Sequence, residues 1–195
     1  MADSNITKRA LASSLKELME TMPFEKINVG DICEKCDMNR KSFYYHFKDK
    51  YDLVNWIFDT ECVPLMLEAE EVDSPADRYR LLAPCAEYLY NNRDFYRKAL
   101  KIQGQNAFSD HMREFMLPTL KARLSTMFEE DAIDDFTLNF FSDAVLSSMQ
   151  RWLGEKDCMR WDEFLKKMYT IIYRGAHIVY EKLPETEDIS EGLPV

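Results

Sequence analysis

The residues best equipped for chemistry lie together at Asn39-Arg40-Lys41-Ser42-Phe43-Tyr44-Tyr45-His46-Phe47. Read as a helix opening at Asn39, the stretch buries Phe43 and Phe47, four residues apart, on one side. Asn39 is a good N-cap, because its side-chain oxygen can accept from a backbone N–H that has no helical partner. Arg40, Lys41, Ser42, Tyr45 and His46 are left on or near the outward faces. Cations that meet phosphates, beside hydroxyls and amines that meet base edges, suit a DNA major groove. The plain alternative is an exposed helix with two core phenylalanines.

The elements before this stretch decide between the two. Leu11, Leu15, Leu18 and Met22 recur at helical spacing, which predicts a first helix over Ile6–Met22, stopped by Pro23. Phe24-Glu25-Lys26-Ile27 is a link that sends two apolar side chains inward. A second helix follows from about Val29 to Cys36, and Asp37-Met38 makes the turn into Asn39. Helix, short turn and helix form a helix-turn-helix unit, with the second helix as the reader.

Charge agrees with this placement. The chain of 195 residues carries a net charge of −10. Within residues 1–58, however, nine Lys/Arg balance nine Asp/Glu, and from Asn39 to Lys50 four basic residues face one acidic. The reading segment is a positive island on an acidic molecule. Cys33 and Cys36 read as small apolar fillers, since a metal site needs two further ligands nearby. The five cysteines are expected to be reduced thiols of a cytoplasmic protein without signal or membrane segment. No glycine-rich phosphate loop occurs, and His46, His111 and His177 form no metal-ligand pair, so no enzyme activity, cofactor or metal is expected.

Ile27-Asn28-Val29-Gly30-Asp31-Ile32, followed by Asn39 through His46 and Phe47-Lys48-Asp49-Lys50-Tyr51-Asp52-Leu53, resembles the DNA-binding domain of the TetR family of transcriptional regulators. The resemblance covers about residues 6–58. It implies that Ser42 and Tyr45 face base edges, with Arg40 and Lys41 near bases or phosphates. Tyr44, His46 and Lys50 would hold phosphates, Asn28 would touch the DNA backbone, and Asn39 belongs to the same DNA-binding set. Two positions depart from the family pattern. Asp37 stands where a turn glycine is usual, and Asp is among the few residues that tolerate the left-handed conformation. Gly30 stands where a longer polar side chain is usual, which removes one phosphate contact.

The rest of the chain reads as an all-α body. Lys50–Glu61 joins it to the reading head, Pro64 marks a bend, and Ser74-Pro75 is a break. Helices are expected over Ala76–Asn91, Asp94–Gln103 ended by Gly104, Ser109–Glu129 kinked at Pro118, Asp134–Leu153 closed by Gly154, and Trp161–Tyr180. The domains are thus 1–58, 59–183 and an acidic tail over 184–195. The last two helices are apolar on several faces, and Phe140, Val145, Trp152, Met168 and Ile172 are expected at a homodimer interface. The resemblance implies the same interface and an Ω-shaped dimer on a near-palindromic double-stranded DNA operator.

Tyr88, Phe95, Phe108, His111 and Phe115 are candidates for an effector pocket, with Gln105, Asn106 and Arg113 as polar partners. An ordinary core is the alternative for these aromatics. The region from Phe95 to Phe115 and on through Leu120 resembles TetR-like regulators of dihydroxyacetone kinase operons. The effector is therefore either a small molecule, with repression as the family's common mode, or a protein co-regulator, with activation open.

Overall fold

The computed structural model describes residues 2–67, 82–104, 107–125 and 133–182. Each of its first elements is ended or started by a local signal. Helix α1 (Ala2–Thr21) begins four residues before the expected start at Ile6 and ends two residues before Pro23. Leu11, Leu15 and Met19 are its buried edge, while Leu18 and Met22 are only half-buried. A 3₁₀ turn, Phe24–Lys26, then drops Phe24 and Ile27 into the core.

Helix α2 (Val29–Lys35) opens on a reciprocal cap: Asp31 N donates to Asn28 Oδ1 at 3.2 Å, and Asn28 N donates to the Asp31 carboxylate at 2.8 Å. It stops one residue short of Cys36, which is its C-cap. Asp37 takes the left-handed conformation at φ 55°, so the turn that usually uses glycine is made by aspartate. Helix α3 (Arg40–His46) starts at Asn39, whose Oδ1 accepts from Ser42 N at 2.8 Å, and buries Phe43 and Phe47. Helix α4 (Lys50–Glu61) is capped by Asp49, which accepts from Tyr51 N and Asp52 N.

The body comprises α5 (Val63–Leu67), α6 (Ala83–Asn91), α7 (Arg93–Ala99), α8 (Phe108–Leu124), α9 (Asp135–Gly154) and α10 (Trp161–Lys182). All described elements are helical, with no strand among the described residues. Helix α7 ends four residues before the expected Gln103. Burial of Ile102 draws the chain off the helical path there, and Gly104 makes the following turn at φ 108°. Gly154 is the last helical residue of α9 rather than a left-handed cap, and Glu155 N closes the turn on Arg151 O. Pro118 lies inside α8, where it cannot donate to the preceding turn. The expected break at Ser74-Pro75, the end of the third body helix near Glu129 and the acidic tail lie outside the described residues.

One core runs from head to body. Phe58 of α4 meets Phe108 and Phe115 of α8 edge to face, each at 5.4 Å between ring centres. Polar ties reinforce this seam. Glu61 accepts from both Lys16 of α1 and Tyr88 of α6. Lys98 of α7 donates to the carbonyls of Met19 and Glu20, which end α1 without helical partners. Cys62, at the end of α4, is joined to Cys85 of α6 in a disulfide, with Cα atoms 5.5 Å apart. That corrects the expectation of five free thiols; Cys33, Cys36 and Cys158 are free.

Candidate nucleic-acid interface and body cavity

Helix α3 is held from below by its phenylalanines, which fixes what remains outside. Tyr45 is 83% and Tyr44 59% exposed, values far from those of core tyrosines. Arg40 and Lys41 are exposed, and Ser42 and His46 are half-buried beside them. The rings of Tyr45 and His46 meet edge to face at 4.9 Å. Asn28 and Asn39 lie exposed at the starts of α2 and α3, with their side-chain oxygens committed to the caps. Eight of the nine candidates are therefore exposed or half-buried on α3 and at the starts of α2 and α3.

Lys50 is the ninth and lies elsewhere. Its ammonium donates to the carbonyls of Phe24 at 2.7 Å, Ile27 at 2.7 Å and Glu25 at 3.3 Å, and lies 4.3 Å from the Phe24 ring centre. An ammonium has three N–H donors, and three carbonyls use them. Burial also holds this lysine below the usual range. Lys50 thus clamps the 3₁₀ turn onto α4, which corrects its expected role as a phosphate holder. Lys48, two residues earlier, is exposed, and its ammonium has no acceptor among the described residues. Its place in the basic island was the signal for it.

The body holds a partly open cavity of about 170 Å³. Its walls come from α4, α5, α6, α8, α9 and α10, and include Phe58, Met66, Cys85, Met116, Met149 and Met168. Of the five expected pocket residues only Phe115 lines it. Phe95 and Phe108 are packed in the core, Tyr88 is held by Glu61, and His111 is paired with Asp59. Burial pushes the Tyr88 phenol well up, and the bond to Glu61 adds to this. Arg113 turns to α9, where it bonds Ser142 and Asn139 and pairs with Asp143, while Gln105 and Asn106 lie outside the described residues.

The expected dimer residues divide in the same way. Phe140 is 60% exposed, joined by Phe136 and Ile171. Trp152 is buried, stacked on Phe164 at 4.1 Å and 5°, with its indole N–H donating to Met159 O at 2.7 Å. It is a core residue of the protomer, not a surface one. Val145, Met168 and Ile172 line the cavity.

Residues 13–57 match the family model described as bacterial regulatory proteins of the tetR family, and residues 79–176 match a transcriptional regulator C-terminal region. The chain belongs to the TetR family. As a member, it is a DNA-binding transcriptional regulator and not an enzyme. This TetR-family protein is 29% identical over 102 residues to the HTH-type dhaKLM operon transcriptional activator DhaS of Lactococcus lactis subsp. lactis (strain IL1403). That match spans 52% of the chain and 53% of the relative, so the chain spans about half the length of the curated relative it matches. In fold it is similar to a TetR transcriptional regulator from Streptococcus agalactiae 2603V, with a TM-score of 0.69 at 20% identity over 89% of this chain and 97% of that one. The structure titled dihydroxyacetone kinase operon activator DhaS gives a TM-score of 0.57 at 20% identity, with the same coverage. Among the described residues, no helix of this TetR-family protein is long and apolar enough to cross a membrane, and no cluster of side chains could hold a metal ion.

Proposed function

We propose that this regulator grips a near-palindromic operator as a homodimer, through α3, and that a small apolar effector in the body cavity sets the spacing of its two heads. The observation that carries the effector reading is the cavity itself: Phe58 of α4 forms part of its wall, and α4 begins in the head. A molecule that fills the cavity therefore presses on the helix that follows the reader and joins it to the body. Such a ligand shifts the population only if it binds one head spacing more tightly than the other. A cavity of roughly 150 Å³ holds a molecule of about the size of benzene. An uncharged aromatic or branched aliphatic molecule suits the lining, with the Thr119 hydroxyl as a polar contact.

On the DNA, Ser42 and Tyr45 read base edges, and Tyr44, His46, Lys41 and Lys48 hold phosphates. Phe136, Phe140 and Ile171 supply the exposed apolar face of α9 and α10 that a second copy covers. The name of the Lactococcus relative favours activation over repression as the sign of control. A protein co-regulator is the second reading for the body.

Thermal shift of the purified protein against apolar aromatic compounds, followed by DNA release or capture, tests the effector. Stabilisation by a compound that also changes operator affinity supports it. Co-purification of a protein partner, with no compound acting, favours the second reading. Tyr45→Ala is expected to change which operator is preferred, at about 1–3 kcal/mol for the base pair concerned.

A further inference from the structure

Helix α2 opens with Val29-Gly30-Asp31, and Gly30 has no conformational need to be glycine. Among the described residues only Asp37 and Gly104 have positive φ. What Gly30 lacks is a Cβ, and the space that atom would take is occupied. A Cβ built there would overlap Nη2 of Arg40, lie 3.1 Å from its Cζ and 2.8 Å from Asn28 Oδ1. The guanidinium of the first residue of α3 therefore rests directly on the first turn of α2.

Arg40 is exposed and has no hydrogen bond or ion pair among the described residues. Its charge is felt inside α2, where it opposes the burial that raises the Cys33 thiol. A guanidinium with five donors and no acceptor among the described residues, set against a neighbouring helix, is free to take an outside partner. Planar paired donors of this kind match the two oxygens of a phosphate.

We infer that Gly30 is a positioning residue: by leaving out a side chain it seats Arg40 against the first turn of α2, where the guanidinium takes a DNA phosphate. The reader and the helix behind it then share a single anchor, which fixes the angle of α3 in the groove. This rests on the reading of α3 as the DNA-contacting helix.

Gly30→Ala, Arg40→Ala and the double variant, each as the full chain, test it on a duplex selected by the unaltered protein. Alanine is better accepted inside a helix than glycine, but its Cβ also crowds the Asn28 cap at 2.8 Å. The melting point of Gly30→Ala is therefore measured beside its affinity, and only binding lost by the folded protein is counted. The variant is expected to bind the duplex about tenfold more weakly, because its Cβ displaces the guanidinium. Arg40→Ala is expected to lose affinity to a similar degree and to lower the salt slope by about one per protomer. The double variant should then be no weaker than Arg40→Ala. If Gly30→Ala still costs tenfold in the Arg40→Ala background, glycine acts through the Asn28 cap or the backbone, and the inference is overturned. Arg40→Ala with unchanged affinity and slope overturns it as well. An unaltered protein that selects no duplex overturns instead the reading of α3 on which it stands.

Discussion

Nε2 of His111 lies 2.7 Å from Oδ1 of Asp59, and this contact joins α8 to α4. His111 is followed by Met112 on the cavity wall, and Asp59 follows Phe58 on the same wall. The pair therefore ties together the two helices whose separation a ligand would alter. His111→Ala is expected to leave operator affinity within about threefold while reducing the effect of an effector on it, by an amount typical of coupling energies, about 1–2 kcal/mol. Operator titrations with and without effector, on parent and variant, measure that difference. An unchanged ratio would remove this pair from the coupling.

Lys50 holds three carbonyls of the preceding link, so its loss is expected to be a loss of stability. Lys50→Met should cost about 2 kcal/mol in urea unfolding, the scale of hydrogen bonds to a charged group. The salt slope of DNA binding should stay as it was. Lys48→Ala should do the reverse, lowering the slope by about one per protomer without moving the unfolding midpoint.

Trp152 and Phe140 sit on one helix and make opposite predictions. Trp152→Ala removes a stacked, buried indole and is expected to destabilise the fold by about 3–5 kcal/mol. Phe140→Glu places a charge on an already exposed position, so the protomer should keep its circular dichroism. Sedimentation should show it monomeric, because the charge would be buried unpaired in the dimer. A Phe140→Glu protein that still sediments as a dimer places the interface elsewhere.

The Cys62–Cys85 bond closes a sequence separation of 23 residues between α4 and α6. Thiol titration of the unreduced, unfolded chain should find three reactive groups, and five after reduction. Reduction should lower stability by about 3 kcal/mol, from the loop entropy returned to the unfolded chain. Five thiols before reduction would show the bond to be absent in solution.

Local signals made the head legible. The Asn39 cap, the four-residue spacing of Phe43 and Phe47 and the tolerance of Asp37 for a left-handed turn each depend on neighbours within a few positions. Lys50 escaped because its acceptors are backbone carbonyls, which no side-chain pattern reveals. The cavity escaped because its lining is gathered from six helices, α4 and α5 giving one residue each, and aromatic richness between Tyr88 and Phe115 mostly marked core. The apolar faces of α9 and α10 were visible as faces. Which of them meets the same protomer depended on Tyr90 and Phe164 reaching Trp152 from other helices.

The place of Trp152 has a practical consequence. Its indole forms part of the cavity wall while stacked between Tyr90 and Phe164, so the site carries a built-in fluorophore. A guest entering beside it changes the polarity and the packing that the excited indole senses. Trp56, in the head against Phe47, and Trp161 lie outside that lining, so replacing both with Phe leaves the indole of Trp152 as the sole tryptophan emitter. Occupancy can thus be followed by light from the unlabelled protein, without knowing beforehand what the guest is.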